Sequence, residues 1–186
     1  MKKSWDVQKM VLTALFVALT AVGAFLKIPA GAVPFTLQIL FTFLAGILLG
    51  PGWGALSQLI YVLLGLAGVP LFTGGGGLGY VLQPTFGFLL GLIPCAALTG
   101  ALTRGEKPAG TLRLALACAA GLAALYAAGL PYLALIRTVY LGGNVSAAEI
   151  IRGGMLIFLP WDALKVAAAV ILSKALLPAV MRAQGR

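Results

Sequence analysis

The sequence predicts an all-α integral membrane protein of six transmembrane helices. Three observations carry that prediction: composition, apolar runs of helical length broken by proline and glycine, and cations placed between the runs. Hydrophobic residues make up 61% of the 186 positions and charged residues only 9%, against roughly 25% charged in an ordinary soluble domain. A surface so poor in charge cannot be wetted all round. At about 20 apolar residues per crossing, a chain of this length holds roughly five to seven spans in one domain.

The first run covers about 8–27, after Met-Lys-Lys, and stops at Lys27-Ile28-Pro29 with Gly31 and Pro34 beyond. No small-residue cleavage pattern closes it, so it is read as a retained helix and not a signal peptide. Run two, about 36–49, ends at the turn Gly50-Pro51-Gly52-Trp53-Gly54, and run three continues over about 53–68. Run two is short for a bilayer core of roughly 30 Å, and short or broken spans often border a cavity.

Residues 69–83 are the least hydrophobic interior stretch, and Pro84 is read as opening run four, about 84–102. The polar loop Thr103 to Gly110 makes runs four and five antiparallel neighbours. Run five, about 111–140, exceeds one straight span and holds Gly129 and Pro131, which permit a kink. Residues 146–157 suit a short interfacial helix, and Pro160 the first turn of run six, about 160–181.

Six spans put both termini on one side. Lys2, Lys3, Lys9, Arg104, Lys107, Arg113, Lys174, Arg182 and Arg186 then lie on the terminal side, and Lys27, Arg137, Arg152 and Lys165 on the other. Nine against four places the termini in the cytoplasm and turns the loops 28–35, 69–83 and 141–159 outward. The net charge of +9 is therefore a topology signal and not a nucleic-acid footprint, because the cations alternate with apolar runs and form no single stripe.

Histidine is absent, which removes the commonest general base and metal ligand. No metal site is expected, and Cys95 and Cys118 read as small buried hydrophobes inside apolar runs. Asp162 and Lys165, three apart just inside run six, share a helix face. Two readings stand for them: a polar anchor for a ligand, or a self-contained ion pair with the lysine reaching toward the headgroups.

The glycines Gly74 to Gly77 and Gly79 permit tight turns or close approach to a ligand, beside Phe72, Tyr80 and Gln83. No Gly-Lys-Ser/Thr follows, so the run is not a nucleotide-phosphate loop. Ala14 and Ala18 lie on one face of run one at small-xxx-small spacing, suited to intramolecular packing or to a docking helix. Tyr126, Tyr132, Tyr140 and Arg137 in run five either line a pocket or belong to an interfacial aromatic belt.

Four stretches, in order along nearly the whole chain, resemble the BioY family of biotin transporters. They are Val33-Pro34-Phe35-Thr36-Leu37-Gln38; Gly65 to Pro70 leading into Gly74 to Tyr80; Pro84-Thr85-Phe86-Gly87-Phe88; and Phe158-Leu159-Pro160-Trp161-Asp162-Ala163-Leu164-Lys165. Trp161, Gln83 and Phe86 differ from the residues usual in that pattern. The resemblance implies the six-helix fold of the substrate-binding S component of an energy-coupling factor transporter, in a prokaryotic cell membrane, with no cofactor and no enzymatic activity of its own.

By that resemblance the ligand is biotin, and Asp162 and Lys165 hold its polar parts. Gly75, Gly76, Gly77 and Tyr80 cover it, and Gln38 and Phe72 count among the substrate-binding residues. The implied partners are a transmembrane coupling protein and two ATPase subunits that alone use ATP, docked on Ala14 and Ala18. Whether the chain works alone, as a homo-oligomer or with that module stays open. Alternatives are an S component for thiamine or riboflavin, or an intramembrane enzyme using Asp162 and Lys165, which the shortage of other polar groups at membrane depth disfavours.

Overall fold

A computed structural model describes residues 2–28, 34–105 and 107–183. The expectations on Pro29, Gly31, Val33, Glu106 and Arg186 lie outside them. Six long helices form the described body: α1 (Lys2–Phe25), α2 (Gln38–Leu49), α3 (Pro51–Leu66), α4 (Phe86–Thr103), α5 (Thr111–Leu135) and α7 (Leu159–Ala183), with a five-residue α6 (Ala147–Ile151) before the last. By length and apolar composition alone, four segments suffice to cross a bilayer: Val7–Phe25, Phe86–Thr103, Thr111–Tyr140 and Ala147–Arg182.

The bounds fall within a few residues of the sequence expectation. Helix α3 begins at Pro51, two residues early, because proline has no N–H to lose in a first turn. Pro84 does not open α4, which starts at Phe86; ahead of it lies a 3-10 turn over Leu78–Leu82. Helix α5 continues through Pro131 and passes at Ile136–Tyr140 into a wider π-helical turn. The expected helix in 146–157 is α6, opened by a capping box: Glu149 N–H donates to Ser146 Oγ, and Ser146 N–H to the Glu149 carboxylate. A second π-helical turn, Arg152–Leu156, follows it.

The first connection contains a feature the hydropathy pattern does not announce. Strands β1 (Lys27–Ile28) and β2 (Phe35–Thr36) pair antiparallel, Lys27 opposite Thr36. This hairpin brings the chain back directly onto α2.

Helix α2 is the interior element, with nine of its twelve residues buried and contacts to α1, α3, α4 and α7. Its approach to α4 is backbone to backbone: a Cβ on Gly100 would stand 2.6 Å from the Gly46 carbonyl oxygen. At about 1.5 Å per residue, α2 spans roughly 18 Å and begins well inside a 30 Å core. Its first residue, Gln38, thus stands at membrane depth.

Backbone groups at such depth must be satisfied within the protein, and buried side-chain polar groups follow the same demand. Gln58, fully buried on α3, donates to Thr20 Oγ1 (3.3 Å) and Ser57 Oγ (3.1 Å) and accepts from Thr42 Oγ1 (3.1 Å). The amide fastens α1, α2 and α3 together. Cys95 and Cys118 are buried free thiols, as their apolar neighbours imply.

Candidate functional site

At the end of α2 away from the Gly50 turn, the bundle encloses a cavity of about 60 Å³. Gln38 and Ile39 of α2 meet there with Phe88, Leu89 and Leu92 of α4, and with Leu125 and Tyr126 of α5. Phe158, Asp162 and Lys165 close it from the start of α7, while Pro34, Thr36, Thr73 and Tyr80 come from the two connecting segments above.

The polar groups converge on one wall. Lys165 Nζ donates to Asp162 Oδ1 at 2.8 Å, and Tyr126 donates its hydroxyl hydrogen to Asp162 Oδ2 at 2.5 Å. Asp162 is 1% exposed and Lys165 8%, so a charged pair is held out of water and each carboxylate oxygen already has a partner. An ammonium carries three donors; Lys165 spends one on Asp162 and no other partner takes the rest among the described residues. The wall therefore offers spare N–H donors from Lys165 and residual acceptor capacity on Asp162, facing leucine, isoleucine and phenylalanine. Such a site suits a largely apolar molecule with a few polar groups.

A second arrangement roofs the cavity. Phe72 N–H donates to Gly75 O (2.8 Å) and Gly75 N–H to Phe72 O (3.0 Å), a tight loop that needs φ +114° at Gly75. Gly77, at φ +101°, donates to Gly65 O (2.7 Å). Only glycine adopts such angles without penalty. The loop delivers Tyr80, whose ring packs on Phe72 (4.6 Å between centroids) and whose hydroxyl pairs with Thr73 Oγ1 at 3.2 Å.

This roof is tied to the hairpin. Lys27 Nζ donates to Thr73 O at 2.5 Å. Thr36 Oγ1 donates to Gln38 Oε1 (3.1 Å), Gln38 Nε2 to Tyr61 Oη (2.8 Å), and Tyr61 in turn to Leu71 O (3.0 Å). Phe35 packs tilted against Phe158, 4.5 Å between centroids, anchoring the hairpin to the residue just ahead of α7. The two connections and the cavity are thus one hydrogen-bonded unit. At about 60 Å³ the space is far below the 300–1,000 Å³ usual for small-molecule sites, so a vitamin-sized ligand requires the roof to lift or the walls to part.

Of the residues singled out in the sequence, Asp162, Lys165, Tyr80 and Gln38 line this one cavity. Phe72, Gly75, Gly76 and Gly77 do not. Phe72 is buried between Tyr61 and Tyr80, and the glycines form the turn that holds Tyr80 in place. Ala14 and Ala18 lie on the exposed face of α1, opposite the buried Phe16, Val17 and Ala21; among the described residues they make no intramolecular helix seam.

Tyr126 is the residue the sequence left undecided. Its neighbours in that group part ways: Tyr140 is exposed, and Tyr132 donates to Val81 O at the edge of the roof. A usable signal existed, since a tyrosine in the middle of an apolar span needs a partner for its hydroxyl, and Asp162 is the acceptor at matching depth. Thr36 and Phe158 also line the cavity; they lie within the stretches that carry the family resemblance, whereas nothing in its local sequence marks Thr73.

Known proteins resemble this chain over most of its length. The sequence model of one protein family, described as the BioY family, matches residues 1–182. The chain is 46% identical over 155 residues to a protein named probable biotin transporter BioY from Lysinibacillus sphaericus, covering 83% of this chain and 79% of that one. It is 41% identical over 166 residues to the protein of the same name from Pyrococcus horikoshii, covering 89% and 93%. A solved structure, the S-component for biotin from an ECF-type ABC transporter, superposes with a TM-score of 0.71 at 25% identity, over 96% of this chain and 95% of that one. By the length of the match and by its relatives, this chain belongs to the BioY family.

Proposed function

We propose that this chain is a multi-pass protein of a prokaryotic cell membrane that binds biotin and supports its uptake as the substrate-specific component of an energy-coupling factor transporter. It performs no covalent chemistry. The observation that carries the reading is the buried Asp162–Lys165–Tyr126 group at the wall of an otherwise apolar, roofed cavity. Biotin matches it in kind: an apolar bicycle and tail need leucine and aromatic walls, and a carboxylate and a ureido group need few polar anchors.

In this reading Lys165 engages the carboxylate or a carbonyl of the ligand through its spare donors, and Asp162 accepts from ligand N–H groups. Gln38 and Tyr80 bound the ligand directly. Phe72 and the glycines Gly75, Gly76 and Gly77 act one step back, by holding the roof. The termini face the cytoplasm, so the roof formed by residues 69–83 and the hairpin faces outward.

The partners we propose are a transmembrane coupling protein and two ATPase subunits, which alone spend ATP. The exposed Ala14 and Ala18 suit close approach of a coupling helix, since small residues let two backbones come together in lipid. Equilibrium binding to the purified protein tests the substrate. Labelled biotin is expected to bind and to be displaced by unlabelled biotin but not by thiamine or riboflavin; retention of either of those vitamins in its place overturns the assignment.

A further inference from the structure

The ligand cavity and the lipid are separated at one place by a single side chain. On the lipid-facing surface of the bundle, between α5 and the segment that leads into α7, lies an open groove of about 630 Å³. Ala119, Ala123, Ala127 and Pro131 form its floor, recurring at every fourth position of α5, with Met155 and Leu159 on the facing bank. Tyr126 is the one described residue that lines both this groove and the ligand cavity.

The boundary there is one residue thick. Leu125, Gly154 and Phe158 line the cavity, and their successors Tyr126, Met155 and Leu159 line the groove. Elsewhere the cavity walls are backed by packed protein. A Cβ on Gly91 of α4 would stand 2.9 Å from the Leu125 carbonyl oxygen, and one on Gly23 of α1 would stand 2.9 Å from the Gln38 nitrogen.

The Tyr126 ring is held as a wall and not left as a flap. Its hydroxyl is bonded to Asp162 of α7 at 2.5 Å, and its ring stands edge-on to Phe88, 6.2 Å between centroids. Phe88 is itself pinned against α5, where a Cβ on Gly129 would meet its ring at 2.3 Å. Swinging the ring outward would carry the hydroxyl into hydrocarbon without a partner, which lipid penalises heavily.

Depth and shape define what fills the groove. It lies in the middle of the Thr111–Tyr140 span, and apart from the engaged Tyr126 hydroxyl its lining carries no polar side chain. From Ala119 to Pro131 the helix rises roughly 18 Å, close to half of a hydrocarbon core about 30 Å thick, which is the reach of a chain from one leaflet. Water finds no partners there, and an empty groove would forgo its contacts.

We propose that a lipid acyl chain seats in this groove and that the Tyr126 ring is the wall that keeps it out of the ligand cavity. A cavity walled by leucine, isoleucine and phenylalanine accepts a methylene chain as readily as the apolar part of a ligand, and in a membrane such chains are in vast excess. Tyr126 therefore determines specificity through its ring, apart from the bond its hydroxyl makes. Only the clause that the wall protects a biotin site rests on the function proposed above.

Photolabelling in nanodiscs with phosphatidylcholine that carries a diazirine in its acyl chain, followed by peptide mapping, tests it. In the unmodified protein adducts are expected on Ala119, Ala123 and Ala127, and only at background on Leu89 and Leu92, which line the cavity from α4. In Tyr126→Ala the adducts on Leu89 and Leu92 should rise about tenfold, a shift of ~1.4 kcal/mol toward entry, because an opened apolar cavity takes up hydrocarbon. Tyr126→Leu, a milder truncation, should raise them in the same sense and serves if the alanine variant does not fold. Tyr126→Phe, which keeps the ring, should stay at the unmodified level. Ala123→Phe fills the groove and should cut the adducts on Ala119 and Ala127. Leu89 and Leu92 labelled as strongly in the unmodified protein as in the truncated variants overturns the proposal. An equal rise in Tyr126→Phe does so too, since the ring would then have no role, and so does an unlabelled groove beside a labelled α1. Saturating biotin should erase the new adducts; a rise that resists biotin would support the wall and count against the biotin reading alone.

Discussion

Replacing Lys165 alone and together with Asp162 separates what the pair does for the fold from what it does for the ligand. Lys165→Met removes a cation 2.8 Å from a carboxylate that is 1% exposed. Tyr126 then remains as that carboxylate's lone side-chain donor among the described residues. Stranding one member of a buried pair costs about 3–5 kcal/mol, whereas replacing both by uncharged groups of similar volume is often neutral. Lys165→Met should therefore be strongly destabilised. Adding Asp162→Asn, whose amide oxygen can still accept from Tyr126, should restore most of the loss. For the ligand the double variant stays deficient: one hydrogen bond to a charged group contributes about 1.5–3 kcal/mol, so the biotin Kd should rise roughly ten- to 150-fold. Thermal unfolding followed by intrinsic fluorescence reads the first effect, and calorimetric titration with biotin the second. The reasoning fails if Lys165→Met unfolds at the wild-type temperature, or if the double variant binds biotin within twofold of wild type.

The remaining expectations concern the supports of the site and the outer face of α1. Tyr126→Phe keeps the ring edge-on to Phe88 but deletes the bond to Asp162; biotin affinity should drop about tenfold, about the worth of one bond to a charged group, and a change below twofold would show the hydroxyl idle. Gly77→Ala forces a side chain into φ +101° at roughly 1–2 kcal/mol and should speed biotin release in stopped-flow traces, while Gly79→Ala, with nothing within 4 Å of the added carbon, should not; equal release rates for the two would remove the roof's role. Gln58→Leu should cost only about 1 kcal/mol, because Thr20, Thr42 and Ser57 each keep a backbone carbonyl as acceptor; a loss of several kcal/mol on unfolding in mixed micelles would mean that the amide is the main clamp. Ala14→Leu with Ala18→Leu should leave biotin binding intact and abolish co-purification with the coupling subunits, and intact complexes would count against docking on that face.

Much of the architecture was legible because its causes are local. Partition of an apolar run into lipid depends on that run's own composition, and Pro51, Pro160 and the Gly50 turn act on their neighbours along the chain. The short second run correctly pointed to a cavity, since twelve residues cannot cross the hydrocarbon. Asp162 and Lys165 were legible for the same reason: three positions apart on a helix, they must share a face. The glycine run was misleading in detail. Its composition suggested backbone lying against a ligand, but Gly75 and Gly77 spend their conformational freedom on a turn bonded to Phe72 and Gly65.

By itself, then, the sequence determined that the chain lives in a bilayer, that it folds into six apolar helices, and where a charged pair interrupts the apolar surface. Those follow from solvation, residue by residue. Only the tertiary structure decided that Tyr126, 36 positions before Asp162, completes that pair. It also decided that Thr36, Gln38, Tyr61 and Leu71 tie two connections into one roof. These depend on which helix faces meet, and that is set by packing as close as Gly46 against Gly100, which no single stretch of sequence encodes.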